Sequence, residues 1–146
     1  MSAETDSIDQ EMIARIKDAQ SFEEMSKIAL EILHNSKDFF AQVCGPISTG
    51  GLGSVEKNLA RFDKAIKQLK ELGVHVFDQT PFEIPMQKLK KKPDYKPLDL
   101  LEGFYLPLLE SEKINRMYFL QDWQSSFGAR WEHEQAKRLG INVIYL

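Results

Sequence analysis

The chain of 146 residues carries a formal net charge of -3, with 42% hydrophobic and 28% charged residues, which suits one soluble globular fold. This balance argues against a partner held mainly by bulk positive charge, so neither a nucleic-acid polymer nor an anionic membrane is expected. One cysteine, Cys44, allows no internal disulfide, and three scattered histidines have no ligand spacing, so no metal and no cofactor is expected. The polar, acidic stretch Met1–Gln10 reads as neither a secretory signal nor a transit peptide, and no apolar run nears the ~20 residues of a membrane span. A cytoplasmic protein is the expectation.

In chain order, Ile8, Met12, Ile13 and Ile16 recur at helical spacing after Ser7, a candidate cap. A second helix opens at Ser21, whose spacing to Glu24 matches a capping box. Its stripe is Phe22, Met25, Ile28, Ala29, Ile32 and Leu33, and Asn35-Ser36-Lys37 ends it. The pattern then changes, which predicts a helical extension over 1–37 and an α/β domain over 38–146.

Phe39 to Val43 reads as a buried strand closed by Gly45-Pro46, and the loop Ile47 to Gly53 leads to Ser54 as an N-cap. Val55, Leu59, Phe62, Ile66 and Leu69 form one helical face, stopped by Gly73. Val74 to Phe77 reads as a second strand ending at Asp78. The proline- and lysine-rich stretch Pro81 to Pro97 reads as a solvated connection, or as a loop draped over an anionic ligand. A helix over Leu98 to Glu110, a strand over Met117 to Leu120, a helix over Phe127 to Leu139 and a strand over Val143 to Leu146 follow. Strands alternating with helices predict an α/β fold on a short parallel sheet, with helices on both faces.

Two features carry chemistry. A strand, a glycine-rich turn and a helix N-terminus suit an anion, and ligands of open parallel sheets bind beyond the carboxyl ends of the strands. The loop is no P-loop, since no Gly-Lys-Ser/Thr follows. Gly51-Leu52-Gly53 begins a dinucleotide fingerprint, with Asp78 placed for a ribose, but Glu56 takes the place of the third glycine. A nucleotide phosphate or sugar and a plain turn with permissive glycines stay open as readings. The other feature is Glu132, which falls on the apolar face set by Ala129, Ala136 and Leu139, where an unpaired carboxylate is costly. Glu134 and Arg138, four apart, read as a surface pair.

Cys44-Gly45-Pro46-Ile47-Ser48, the helix with Phe62 and Leu69, and Trp123-x-x-Ser126-x-Gly128-Ala129-x-x-Glu132 together resemble the nucleoside 2-deoxyribosyltransferase superfamily. The likeness covers roughly Phe39 to Leu146 and is to a small branch, with the 2'-deoxynucleoside 5'-phosphate N-hydrolases as more distant relatives. It implies a flavodoxin- or Rossmann-like three-layer sandwich that cleaves or transfers an N-glycosidic bond of a nucleoside or nucleoside monophosphate, with Glu132 as nucleophile. By the same likeness Gly45, Pro46, Ile47, Ser48, Gly50, Gly51, Ser126 and Gly128 contact sugar and phosphate. It also implies a homodimer or larger homo-oligomer. The likeness departs where Pro107 or Leu108, and Asn115, replace aspartates of the family, with Asp99, Glu102 and Asp122 as substitutes out of register. The alternative function is a nucleotide-binding or ligand-sensing module of the same fold that does not cleave.

Overall fold

The structure, a computed structural model, describes residues 9–146. Its elements in order are α1 (Gln10–Asp18), α2 (Phe22–Asn35), β1 (Phe40–Cys44), α3 (Val55–Glu71), α4 (Thr80–Leu89), α5 (Pro97–Leu100), a π-helical segment (Leu101–Tyr105), α6 (Leu106–Glu110), β2 (Ile114–Phe119), a 3-10 turn (Trp123–Ser125), α7 (Phe127–Leu139) and β3 (Asn142–Tyr145). Contacts gather them into two units, one of residues 9–39 with Gln79–Lys113 and one of Phe40–Asp78 with Ile114–Leu146.

The first unit is helical. Ser7 and Ile8 lie outside the described residues; α1 is capped by Asp9, whose Oδ1 accepts from the Met12 N–H at 2.9 Å. Ser21 caps α2 by accepting from the Glu24 N–H, while the Glu24 carboxylate accepts from the Gln20 N–H. The core holds Ile16, Met25, Leu33, Phe82, Met86, Phe104 and Leu108. The stretch read as an irregular connection is in fact the helix α4 over its first half. Pro81 stands in the first turn, where a missing N–H is harmless, and Phe82, Met86 and Leu89 share a buried face at helical spacing. Prolines hid that spacing in the sequence. The helix expected over Leu98 to Glu110 widens into a π-turn before Pro107, which has no N–H to give the Gly103 carbonyl.

The second unit carries the sheet, β1-β2-β3, all parallel. Val74 to Phe77, expected as a strand, pairs through a single parallel bridge from Val76 to Ala41, flanked by Ala41 N–H to His75 O at 2.8 Å and Phe77 N–H to Ala41 O at 2.9 Å. The chain turns into α4 too soon for a longer ladder. β1 is thus flanked on both sides and buried throughout. Its alternation sorts the helices: Ala41 and Val43 pack with Phe62, Ala65, Ile66 and Leu69 of α3, while Gln42 and Cys44 face α7. The sheet therefore has helices on both faces, an α/β arrangement of flavodoxin type. β3, expected as buried, is an exposed edge, with Tyr145 60% accessible.

No helix among the described residues is long and apolar enough to cross a membrane.

Candidate functional site

The second unit brings side chains together at the carboxyl ends of β1 and β2. The loop after β1 is fixed from α3 by Asn58, only 1% exposed. Its Nδ2 donates to the carbonyls of Ile47 at 2.9 Å and Gly50 at 3.3 Å, and its Oδ1 accepts from the Leu52 N–H at 2.9 Å. From the other side, Ser125 Oγ accepts from the Gly51 N–H at 3.0 Å and donates to the Asp122 carbonyl at 2.7 Å. Gly50 and Gly51 both sit at positive φ, and a Cβ on Gly51 would meet Asn58 Oδ1 at 2.6 Å. Three N–H groups of the loop, at Gly51, Leu52 and Gly53, are thereby engaged within the protein.

Gly45 and Pro46 are buried, Ile47 is half-buried, and Ser48, Gly50 and Gly51 are exposed. A Cβ on Gly45 would come within 2.6 Å of the Leu120 side chain, which would have to shift to admit it. Ser126 is buried and caps α7, its Oγ accepting from the Ala129 N–H at 3.2 Å; Gly128 is half-buried in the first turn. Capping gives Ser126 a structural task whatever else it does.

Glu132 occupies the centre of the buried face of α7, 5% exposed, between Ala129 and Ala136. Gln42 Nε2 donates to its Oε2 at 2.5 Å and lies 3.8 Å from Cys44 Sγ. Burial first, and then the charge of Glu132, push the Cys44 thiol well above its ordinary range, so Cys44 is a neutral thiol rather than a nucleophile. Gln42 Oε1 is buried without a hydrogen-bond partner.

Next to Glu132, His133 stacks on Trp123 with ring centroids 4.3 Å apart, and its Nε2 lies 2.7 Å from the Tyr145 hydroxyl. Burial lowers its pKa, followed by the charge of Lys137, so its neutral form is favoured. Among the acids considered as partners of Glu132, Asp122 is paired with Arg61 at 2.8 Å, and Asp99 and Glu102 belong to the first unit, where Asp99 accepts from the Lys96 N–H. Asp78 is half-buried after the Val76 bridge, and Glu56 is exposed in the first turn of α3.

Two residues were missed by the sequence reading, Gln42 and Asn58. Each had a signal: Gln42 is an amide inside an otherwise apolar strand, and Asn58 interrupts the helical run of α3 one turn after its cap. Among the described residues no group of three or more His, Cys, Asp or Glu is placed to hold a metal ion.

Fold and site together define a parallel α/β protein with a buried carboxylate on α7 and a glycine-rich loop after β1. Residues 42–145 match the family described as a domain of unknown function, DUF4406, and the chain belongs to that family. No curated protein and no solved structure matches the chain.

Proposed function

We propose that the protein cleaves the N-glycosidic bond of a nucleoside or nucleoside monophosphate, with Glu132 as nucleophile. The observation that carries this reading is a carboxylate 5% exposed on an apolar helix face, held at 2.5 Å by an amide of β1, the strand that leads into the glycine loop. A carboxylate so placed has little use in stability, because an apolar residue of similar size would avoid its desolvation. In the reaction, a Glu132 oxygen bonds to C1' of the sugar as the bond from C1' to the base nitrogen breaks. The electron pair leaves with the base, which takes a proton from solvent. Water then attacks C1', the ester opens, Glu132 is again a carboxylate, and the water's second proton returns to solvent. A second nucleoside base in place of water makes the same route a transfer.

The loop from Gly45 to Gly51, with Ser48, Ser126 and Gly128, is the proposed seat of sugar and phosphate. The reading includes a cytoplasmic location and a homodimer or larger homo-oligomer, for which the exposed Ile144, Tyr145 and Leu146 offer apolar surface. A second reading, a binding or sensing module, draws support from Asp122, which Arg61 holds away from the role of a second acid.

One experiment separates them. Wild type and Glu132→Gln are incubated with nucleosides and their monophosphates, and free base is followed by chromatography. Cleavage predicts base from wild type and at least a ~100-fold lower rate from the variant, with the fold intact, because an amide cannot form the glycosyl ester. Ligand binding by both proteins with no base from either supports the binding module. A variant that melts much lower, with base release reduced only in proportion to folded protein, overturns the catalytic assignment.

A further inference from the structure

We infer that Gln42 is the positioning residue of this site, holding the Glu132 carboxylate in one rotamer and in its ionised form; the inference rests on the glycosidic reading of Glu132. β1 is buried throughout and flanked by the Val76 bridge and by β2, so a side chain it carries is fixed at its base. Alternation along β1 turns Gln42 toward α7, and its Nε2 reaches Glu132 Oε2 at 2.5 Å. Gln42 itself is fully buried.

Against an ionised Glu132, the amide turned over would set its Oε1 against the carboxylate, acceptor against acceptor. In the orientation present, Oε1 has no partner, which a residue chosen for packing alone would avoid. What the position gains in return is a donor aimed at Glu132. A hydrogen bond to the charged form favours that form, so the carboxylate stays ionised at lower pH than burial alone would permit. Cys44 on β1 is the titratable neighbour across the sheet face, and His133 stands next to Glu132 on α7 with its ring turned to Trp123 and Tyr145.

The test compares wild type with Gln42→Met, which keeps length and volume but removes the donor, and with Gln42→Asn, which keeps an amide one methylene short. Glutamate labelled with carbon-13 at the carboxyl gives the Glu132 titration by NMR, assigned by its loss in Glu132→Gln. Base release gives kcat, KM and the pH profile. The expected result in both variants is a Glu132 midpoint raised by about one pH unit. Alongside it, kcat falls about tenfold, KM changes little, and the acid limb of the profile moves with the midpoint. A midpoint unchanged in a folded variant overturns the inference, even where activity falls. A raised midpoint in a protein whose wild type releases no base from any substrate leaves Gln42 as the holder of Glu132 and removes the glycosidic reading instead. Should Gln42→Met fail to fold, Gln42→Asn decides alone, since it leaves a polar amide in the strand.

Discussion

Asn58 gives the sharpest check of how the glycine loop is built. Replacing it with alanine removes three hydrogen bonds at once, to the carbonyls of Ile47 and Gly50 and from the Leu52 N–H. Each such bond is worth about 1 kcal/mol net, and the orphaned loop groups add to the loss where water does not reach them. Because Gly50 and Leu52 are exposed, water replaces part of what is removed, so the expected cost is about 2 kcal/mol rather than the full sum. In a chain of this size that lowers Tm by about 4–8 °C. Hydrogen exchange should quicken at 47–52, and affinity for a nucleoside monophosphate should drop with it. Asn58→Asp adds a directional control. It keeps the acceptor for Leu52 but sets a carboxylate against two carbonyls, so it should be destabilising at neutral pH and partly recover in acid, when its O–H can donate. Asn58→Ala melting within about 1 °C of wild type, with unchanged exchange at 47–52, would refute the account of the loop.

Burial raises the pKa of Glu83 above its ordinary value of 4.5, against the charge of Lys90 and the hydrogen bond from Tyr105. The unfolded chain therefore releases this proton first, and stability falls as pH climbs from about 4.5 through the raised value. Glu83→Gln keeps an acceptor for Tyr105 and should gain on wild type in Tm as pH rises over that window; a variant that loses ground instead would show a stabilising ion pair with Lys90. Gly51→Ala should cost about 2 kcal/mol or more by denaturant unfolding, from left-handed strain of about 1–2 kcal/mol plus its clash with Asn58 and Pro46. Gly53→Ala meets open space and should cost only the strain, so equal losses would mean the clash relaxes freely.

Much of the second unit was legible in the sequence because its signals are local. Ser54 caps the helix that follows it, Gly140 ends α7 at φ 71, and the apolar stripe of α3 sits where its spacing put it. Glu132 stood out because a charged residue on an apolar face breaks a period of 3.6, which one segment reveals alone. Its partner was not legible, since Gln42 lies ninety positions away and nothing in a single sequence pairs the two. The reading also failed where prolines masked helical spacing in α4, and where strand propensity at Val74 to Phe77 exceeded the pairing the chain could complete. Leu98 to Glu110 kept its helical course but not its uniform winding, because Pro107 removes one donor from the ladder. The gathering of the N-terminal helices with Gln79–Lys113 depends on contacts distant in sequence, which periodicity does not encode.

The two sides of the second unit's sheet differ. On the α3 side Ala41 and Val43 pack with Phe62, Ile66 and Leu69. The α7 side holds a buried amide with an orphaned oxygen, a buried carboxylate and a thiol raised by both burial and charge. Just beyond the strand end, Gly50 and Gly51 take a left-handed backbone that Asn58 and Ser125 hold in place. Local rules broken independently in distant segments, yet meeting at the carboxyl ends of parallel strands, are the pattern expected where a fold gives up stability for chemistry. Here the buried amide, on the strand that leads into the loop, and the buried carboxylate face one another.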